Sequence, residues 1–456
     1  MRTIMNAFRT PDIRNRILFT IGLILIYRIG SFIPVPGVDY SVINECMTKI
    51  SGSEDFIGLV NLFSGGAMLQ LSVFALGVMP YINASIIVQL LKILIPHFEE
   101  LHREGQSGET KLNQYTRYLA IGLAVIQSAG IVLTARSGSL FAGKCGQVIP
   151  DGSVFNLIIM TLVLIGGSGF IMWMAELITD KGIGQGMSIL IFMSICSGFL
   201  PRLWDIGYGS NGSDGDWLKF GIVISALIIV LMFIVFVELC QRRIPIQYTK
   251  RILDDSASRE SMSYIPLKIN MSSVMPPIFA MSILAIPSML VFISPDSNWA
   301  QWIQSNLSNS TSIWYIVLYS SMIIGFTFFY SSIALDTHET AEQLNESSAF
   351  IPGVPAGHKT AAYLGYVMNK LNTVGSVYLL AVALIPTVLI MTLQLNAQLP
   401  FGGTTILIIA GVGLDTLRQV KANTAQWHYT GFLPHAEKAN HVNFTAMLEA
   451  DRKHAA

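Results

Sequence analysis

Residues 56–96 read FIGLVNLFSGGAMLQLSVFALGVMPYINASIIVQLLKILIP, and this stretch decides which kind of fold the chain adopts. Its apolar beginning, 56–63, is too short to cross a bilayer, which takes about 20 residues. A Ser-Gly-Gly triplet at 64–66 follows, and glycine favours a turn there because it accepts backbone conformations that other residues avoid. The stretch therefore predicts a short helix, a hinge and then one membrane span.

The predicted span contains residues that a simple membrane anchor does not need. They are one proline and three polar residues, Pro80, Asn83, Ser85 and Gln89. Polar groups at membrane depth are tolerated where they face other helices or water. A broken and polar span therefore indicates a pathway through the protein, and a kinked packing helix is the alternative interpretation.

The composition indicates an integral membrane protein. Hydrophobic residues make up 52% and charged residues 12% of the 456 residues, whereas soluble domains carry about 25% charged residues. The net charge is zero, so the overall charge gives no indication of a nucleic-acid partner.

Hydropathy windows predict ten membrane spans, at 17–33, 72–95, 118–135, 155–178, 187–203, 220–240, 274–293, 312–335, 373–395 and 403–417. An even number places both termini on one side. This arrangement leaves only a few basic residues on the opposite side, namely Lys49, Arg136, Lys144, Arg202 and Lys219. By the positive-inside rule the termini are therefore predicted to be cytoplasmic.

Ten spans divide into two halves of five, 1–203 and 204–421, followed by a cytoplasmic tail at 422–456. Because five is odd, the second half starts from the opposite face of the membrane. If the halves share a fold they are inverted repeats, and a pathway is expected at their interface.

Two long cytoplasmic loops are candidate docking surfaces. The loop at 241–273 has the character of strand, turn and strand. The loop at 336–371 contains an acidic amphipathic helix, a Pro/Gly turn and a second helical run. Loops of this length on one face are typical of partner binding, and solvated linkers are the alternative.

Catalytic and cofactor motifs are missing from the sequence. It contains no phosphate-binding loop, dinucleotide fingerprint, HExxH or GxSxG, so we expect neither an enzyme nor a bound cofactor or metal. The ionisable residues in or beside spans lie toward span ends, where long side chains can reach water; they are Arg28, Lys92, Glu176, Glu238 and Asp415. An interior with almost no charge suits a pathway for something large better than a site for one ion. A secondary transporter of the inverted-repeat type and a membrane-embedded enzyme remain the alternatives.

Several long strings resemble the SecY family, the channel subunits of the bacterial Sec protein translocase. They are FSGGAMLQLSVFALGVMPYINASIIVQLL at 63–91, YRIGSFIPVPG at 27–37, REGQSGETKLNQYTRY at 103–118, ITDKGIGQGMS at 178–188, QRRIPIQYTKR at 241–251, IPLKINMSSVMPPIFA at 265–280, HETAEQLNESSAFIPG at 338–353 and FGGTTILI at 401–408. The resemblance covers nearly the whole chain in order.

The resemblance implies an all-α polytopic membrane protein, with ten transmembrane helices in two inverted five-helix halves around an hourglass pore. By motif position, an aliphatic pore ring is formed by Val78, Ile82, Ile191, Ile278 and Ile408. Independently of the family, Val78 and Ile82 are four residues apart and therefore share one helical face. An apolar ring excludes water and ions without preferring any particular side chain.

The resemblance also implies a plug and a lateral gate. The segment 56–68 contains the plug helix, whose members are Leu59, Val60, Asn61, Leu62, Phe63, Ser64, Gly65, Gly66, Ala67 and Met68. The gate is lined by the polar residues Asn83, Gln89, Gln127 and Asn270. They are expected to hold the closed gate by weak hydrogen bonds, and ordinary helix packing is the alternative.

The family's cytoplasmic loops bind the motor ATPase SecA or the ribosome. At the corresponding positions this chain has Arg242, Arg243, Lys250, Arg251, His338, Pro355 and Lys359. It departs from the family where basic residues are usual, with Asp254, Asp255 and Ser256 in the first loop, His338 and Pro355 in the second, and Gln70 near the plug. The expected setting is the bacterial cytoplasmic membrane, with SecE-like and SecG-like small subunits and with unfolded secretory and membrane proteins as substrates.

Overall fold

A computed structural model describes residues 11–39, 42–43, 64–136, 149, 153–208, 217–248, 263–290, 297–307, 312–393 and 403–430. Its helices and strands in chain order are α1 (Pro11–Gly30), α2 (Met79–Leu94), α3 (Pro96–Arg103), α4 (Gln106–Arg136), α5 (Val154–Lys181), α6 (Gly186–Tyr208), α7 (Trp217–Leu239), β1 (Gln241–Tyr248), β2 (Ser263–Lys268), α8 (Met275–Leu290), α9 (Asn298–Asn306), α10 (Ile313–Ala334), α11 (Thr337–Glu346), β3 (Ala349–Phe350), α12 (His358–Leu393) and α13 (Gly403–Thr430). The predicted helical membrane architecture is confirmed.

Within the described ranges, five helices are long and apolar enough to cross a membrane, namely α4, α5, α7, α10 and α12. The other five predicted spans coincide with α1, α2, α6, α8 and α13, and α6 and α8 contain shorter apolar segments. The total of ten spans therefore remains a prediction. Helix α12 starts 15 residues before the predicted window, because its first turns are amphipathic and fall below the hydropathy of a span.

The second predicted span starts later than expected. The helix begins at Met79 rather than at residue 72, with Pro80 in its first turn. Proline is favoured there because its missing N–H would have no partner inside the helix. Residues Leu71 and Gly77 have φ of +43° and +56°, which a right-handed helix does not allow. The proline therefore starts the helix instead of interrupting it.

The first loop that is predicted to be cytoplasmic contains the two expected strands, which pair as an antiparallel ribbon. Strand β1 pairs with β2 in a register that aligns Gln241 with Lys268 and Ile246 with Ser263. On its other side β1 pairs with the short β3, so the strand order is β2-β1-β3. Alternate side chains of β1 are buried, which follows from the two-residue period of a strand.

The second loop that is predicted to be cytoplasmic also has the expected elements. Helix α11 is capped by Asp336, whose carboxylate accepts hydrogen bonds from the backbone N–H groups of His338 and Glu339 at 2.9 and 3.3 Å. A turn then leads into α12, which continues without interruption into the membrane. The ribbon and this loop share an apolar cluster built around Ile244, Leu267 and Leu364, so the two candidate docking loops form one surface.

Candidate functional site

The five predicted ring residues meet in one place. Val78, Ile191, Ile278 and Ile408 are buried members of a single apolar cluster, with exposures of 2, 7, 7 and 2%. Ile82 is half-buried and packs against the same cluster. These residues come from α2 and the residue before it, α6, α8 and α13, which are far apart in sequence and belong to both predicted halves. These five aliphatic residues, called the collar, therefore lie together in one apolar cluster.

A second contact, which also includes Ile82, joins the two predicted halves. The buried side chains of Ile86 in α2, Phe279 in α8 and Tyr330 in α10 pack together, and Ile82 contacts this group as well. The rings of Phe279 and Tyr330 lie 4.6 Å apart between centroids, in an edge-to-face arrangement. We call these three residues the seam. Sequence reasoning missed them, although Phe279 directly follows the ring residue Ile278.

One hydrogen bond crosses the seam at a predicted gate residue. The Tyr330 hydroxyl donates to Oε1 of Gln89 at 3.0 Å and so links α10 to α2. Such interhelical bonds contribute roughly 0.6–1.7 kcal/mol in membranes. Asn83 and Gln127 are half-buried on α2 and on α4, two helices that pack against each other.

The fourth predicted gate residue, Asn270, lies away from the seam. Its side-chain amide donates to the Glu238 carboxylate at 2.8 Å and to the Ser273 carbonyl at 2.9 Å. The expectation that Glu238 reaches water is wrong, because this side chain is 7% exposed. Arg418 in α13 donates to the Glu238 backbone carbonyl at 3.0 Å. Asn270 therefore joins the end of the ribbon to α7, and α13 is bound at the same point.

Residues 64–78 form a buried, irregular segment in which the last predicted plug residues lie. Ser64, Ala67 and Met68 are 0, 1 and 4% exposed, and Met68 contacts a second apolar cluster with residues of α4 and α5. The segment pairs with the chain after α1 through bonds from Val35 to Leu71 and from Val73 to Ile33, of 3.0 and 2.9 Å. Non-helical backbone inside a membrane protein requires such burial. The predicted plug residues Leu59, Val60, Asn61, Leu62 and Phe63 lie outside the described residues.

The start of this segment is held by two helices. The carbonyl oxygen of Gly65 accepts hydrogen bonds from Nη1 of Arg28 in α1 at 3.0 Å and from Oγ of Ser197 in α6 at 3.2 Å. Gly65 has φ of +67°, and a Cβ atom there would lie 3.0 Å from Ser197 Oγ and 3.2 Å from Ser194 Cα. Glycine is therefore required at this position by conformation and by space. Its turn was predicted, but its two bonds were not.

The predicted docking residues of the ribbon are exposed where they are described. Arg242 and Arg243 project from β1, and the Arg243 guanidinium lies 4.8 Å from the centroid of the Tyr264 ring on β2. Lys250 and Arg251 lie outside the described residues, as do Asp254, Asp255 and Ser256.

The docking residues of the second loop are exposed as well. His338 at the start of α11 and His358 at the start of α12 have ring centroids 5.8 Å apart. Lys359 is exposed beside them, and the carbonyl of Pro355 accepts a hydrogen bond from Thr360 at 2.9 Å. The surface therefore presents His338 and Pro355 at the two positions where arginine is expected from the family, with His358 and Lys359 exposed beside them.

Comparison with known sequences gives one consistent answer. A family model described as SecY matches residues 72–417. The protein translocase subunit SecY of Streptomyces coelicolor is 48% identical over 430 residues, which cover 94% of this chain and 98% of the relative. The subunit of the same name from Mycobacterium tuberculosis is 43% identical over 443 residues, covering 94% and 99%.

Solved structures share the fold at lower sequence identity. A structure described as a protein conducting channel has a TM-score of 0.58 at 16% identity and covers 89% of this chain and 91% of its own. A SecY structure whose plug domain is described as stabilising the closed state and maintaining a membrane seal has a TM-score of 0.58 at 18% identity, with the same coverage. The channel in a canine ribosome-channel complex has a TM-score of 0.57 at 15% identity, covering 89% and 91%.

Proposed function

This chain belongs to the SecY family, and from that premise we propose that its collar is the constriction through which unfolded proteins pass across the membrane. The protein is the channel subunit of a protein translocase and not an enzyme. The observation that carries the proposal is the meeting of five aliphatic residues, from four distant parts of the sequence and from both predicted halves, in one cluster. A channel of this kind needs a seal that has no preference among the side chains of the translocating protein. Aliphatic residues supply such a seal by excluding water.

We infer that residues 1–203 and 204–421 are the two halves that part when the channel opens, with 422–456 as a cytoplasmic tail. The support is the position of the seam, because Ile86 belongs to the first half while Phe279 and Tyr330 belong to the second. The contacts of the seam are aliphatic, aromatic and one weak hydrogen bond. A hydrophobic signal sequence offers equivalent apolar contacts, so it can replace them at small free-energy cost and leave sideways into the lipid.

We further propose that segment 56–68 is a plug that closes the external side of the collar. The Gly65 contacts support this role, because they fix the end of the segment to helices of the first half. A packed, irregular chain whose Gly65 carbonyl is fixed by two hydrogen bonds suits an element that has to move away.

The chain is a multi-pass membrane channel, and we propose the bacterial cytoplasmic membrane as its location, with cytoplasmic termini. The relatives from Streptomyces and Mycobacterium and the distribution of basic residues support this location. SecE-like and SecG-like subunits are the proposed membrane partners, and SecA or the ribosome is the proposed partner at the shared surface of the two cytoplasmic loops.

The channel proposal is tested by cross-linking a secretory chain stalled during translocation. A cysteine at Ile278 or Ile191 is expected to form a disulfide with cysteines in the stalled chain, and a cysteine at Ile86 is expected to do so with the signal sequence. A cysteine at Ile229 is the control, because that side chain is 68% exposed on the outer face of α7. Equal yields at Ile229 and at the collar would show that the chain does not pass through the collar.

Docking on the ribbon is tested by reversing its charge. Replacing Arg242 and Arg243 together by glutamate is expected to weaken binding of the cytoplasmic partner about tenfold at low salt, with a smaller effect at high salt. The matched control is Lys111→Glu, which reverses an exposed charge near the cytoplasmic end of α4, outside both loops. Binding titrations with SecA and with ribosomes identify the partner, and unchanged affinity for both would exclude the ribbon as the docking site.

A further inference from the structure

Helix α9 (Asn298–Asn306) lies between α8 and α10 and has two different faces. On the inner face Ala300 is fully buried, and Leu307, directly after the helix, packs against a core cluster of the second half. On the outer face Trp299 and Trp302 are three residues apart and are 46 and 53% exposed. Residues three apart share one side of a helix, so the two indoles form one exposed aromatic surface.

The same surface continues onto the first turn of α10. Ile313 and Trp314 are 77 and 62% exposed, and α9 packs directly against α10. Further along α10, Val317 is 58% exposed within a helix that is apolar enough to span the membrane. Exposed indoles of α9 therefore lie on a helix that packs against the first part of a predicted membrane span, whose own first turn exposes Ile313 and Trp314.

Helix α7 has the same arrangement at its start. Its first residue, Trp217, is 58% exposed, and the next residue, Leu218, is 72% exposed. Helices α7 and α10 share one apolar cluster and are both predicted to enter the membrane from the external side. The exposed tryptophans Trp217, Trp299, Trp302 and Trp314 therefore lie at the external ends of the second half. By contrast, Trp173 is exposed within the body of α5.

Charge argues against a charged partner at this surface. Residues 297–335 contain no Asp, Glu, Lys, Arg or His. The polar residues around the indoles are instead Asn, Gln, Ser and Thr. Neutral hydrogen-bonding groups beside tryptophan match the interfacial layer of a bilayer, where the apolar ring meets acyl chains and the indole N–H meets ester and headgroup oxygens.

We propose that α9 is an interfacial helix that binds the lipid headgroup layer of the external leaflet through Trp299, Trp302 and Trp314. The occupant of this surface is lipid, recognised through its neutral ester and glycerol region and not through headgroup charge. The proposal concerns a contact with the membrane and does not depend on which polypeptide passes through the channel.

The test uses the full chain, with any small subunits that copurify, in nanodiscs of phosphatidylcholine brominated at either a shallow or a deep acyl position. Tryptophan emission is compared between the unmodified protein and the double variant Trp299→Phe with Trp302→Phe. The chain has 7 tryptophans, so the variant removes roughly two-sevenths of the emission if all of them emit equally. The emission of Trp299 and Trp302 is the difference between the unmodified protein and the double variant. This lost component is expected to be quenched about twofold more by shallow than by deep bromine. Trp173→Phe is the positive control for contact with lipid, because this exposed indole lies within a predicted span, and its component is expected to be quenched by brominated lipid and not by aqueous iodide.

Two results would overturn the proposal. If aqueous iodide quenches the lost component and brominated lipid does not, the indoles face water. If neither quencher reaches it, a protein or a second copy of the chain covers α9. Phenylalanine retains an apolar ring at both exposed positions, so the variant is expected to fold. Far-ultraviolet circular dichroism, which reports backbone structure, checks this.

Discussion

Replacing Ile82 and Ile278 together by asparagine is expected to raise the ion permeability of the resting channel about tenfold. An ion passes the closed collar only with water around it, and aliphatic side chains make that hydration unfavourable. Ile82 is half-buried and packs against both the collar cluster and the seam. The side-chain amide of an asparagine at this position can therefore bind water. Lowering the hydration barrier by about 1.4 kcal/mol is sufficient for a tenfold change in rate. The measurement is chloride or potassium flux from proteoliposomes without substrate. Precursors with weakened signal sequences are also expected to be accepted more readily.

The matched control for the collar is Ile82→Val with Ile278→Val, which shortens the same two side chains and keeps them apolar. Its flux is expected to stay close to that of the unmodified channel. Unchanged flux in the asparagine variant, with translocation intact, would mean that the collar is not the ion barrier. Equal leaks in both variants would mean that packing, and not apolarity, closes the channel.

The sequence predicts the helices of this fold well because hydropathy, which is a local property, determines which segments span the membrane. Each predicted window coincides with a helix, and the two strands expected in the loop at 241–273 are present as β1 and β2. The errors lie at helix starts that depend on a property other than hydropathy. The start of α2 depends on left-handed residues such as Leu71 and Gly77, and the start of α12 on an amphipathic extension before the predicted span. Hydropathy records neither of these.

The candidate site was less predictable because its parts meet only in three dimensions. Spacing alone relates Val78 to Ile82, while the remaining collar residues were chosen by family resemblance. Pairing of Tyr330 with Gln89 joins positions 241 residues apart, and no local pattern indicates it. The hydrogen bond of Asn270 to Glu238 has the same origin. A buried carboxylate near a span end looks the same in sequence as one that reaches water.

Replacing Gly65 by alanine is expected to shift the resting channel toward the open state by tenfold or more. The left-handed backbone costs a non-glycine residue about 1–2 kcal/mol, and Gly65 has φ of +67°. The added Cβ would also lie within 3.2 Å of Ser194 and Ser197 in α6, so the segment has to shift. That shift weakens the hydrogen bonds from Arg28 and Ser197, each worth roughly 0.5–1.5 kcal/mol. The measurement is ion flux without substrate, together with translocation of a precursor that carries a defective signal sequence.

Gly66 provides the control that separates backbone strain from contact. Its φ is +93°, but a Cβ atom there would have no heavy atom within 4 Å. Gly66→Ala therefore introduces the strain without the collision against α6, and its flux is expected to rise less than that of Gly65→Ala. Ser197→Ala tests the contribution of the hydrogen bond alone, because it removes one bond to the Gly65 carbonyl and leaves the backbone unchanged. If Gly65→Ala leaks no more than Gly66→Ala, the contact with α6 does not hold the segment closed. If the ion flux is highest for Gly65→Ala and lower for Gly66→Ala and Ser197→Ala, the closed state depends on the close contact of the Gly65 turn with α6.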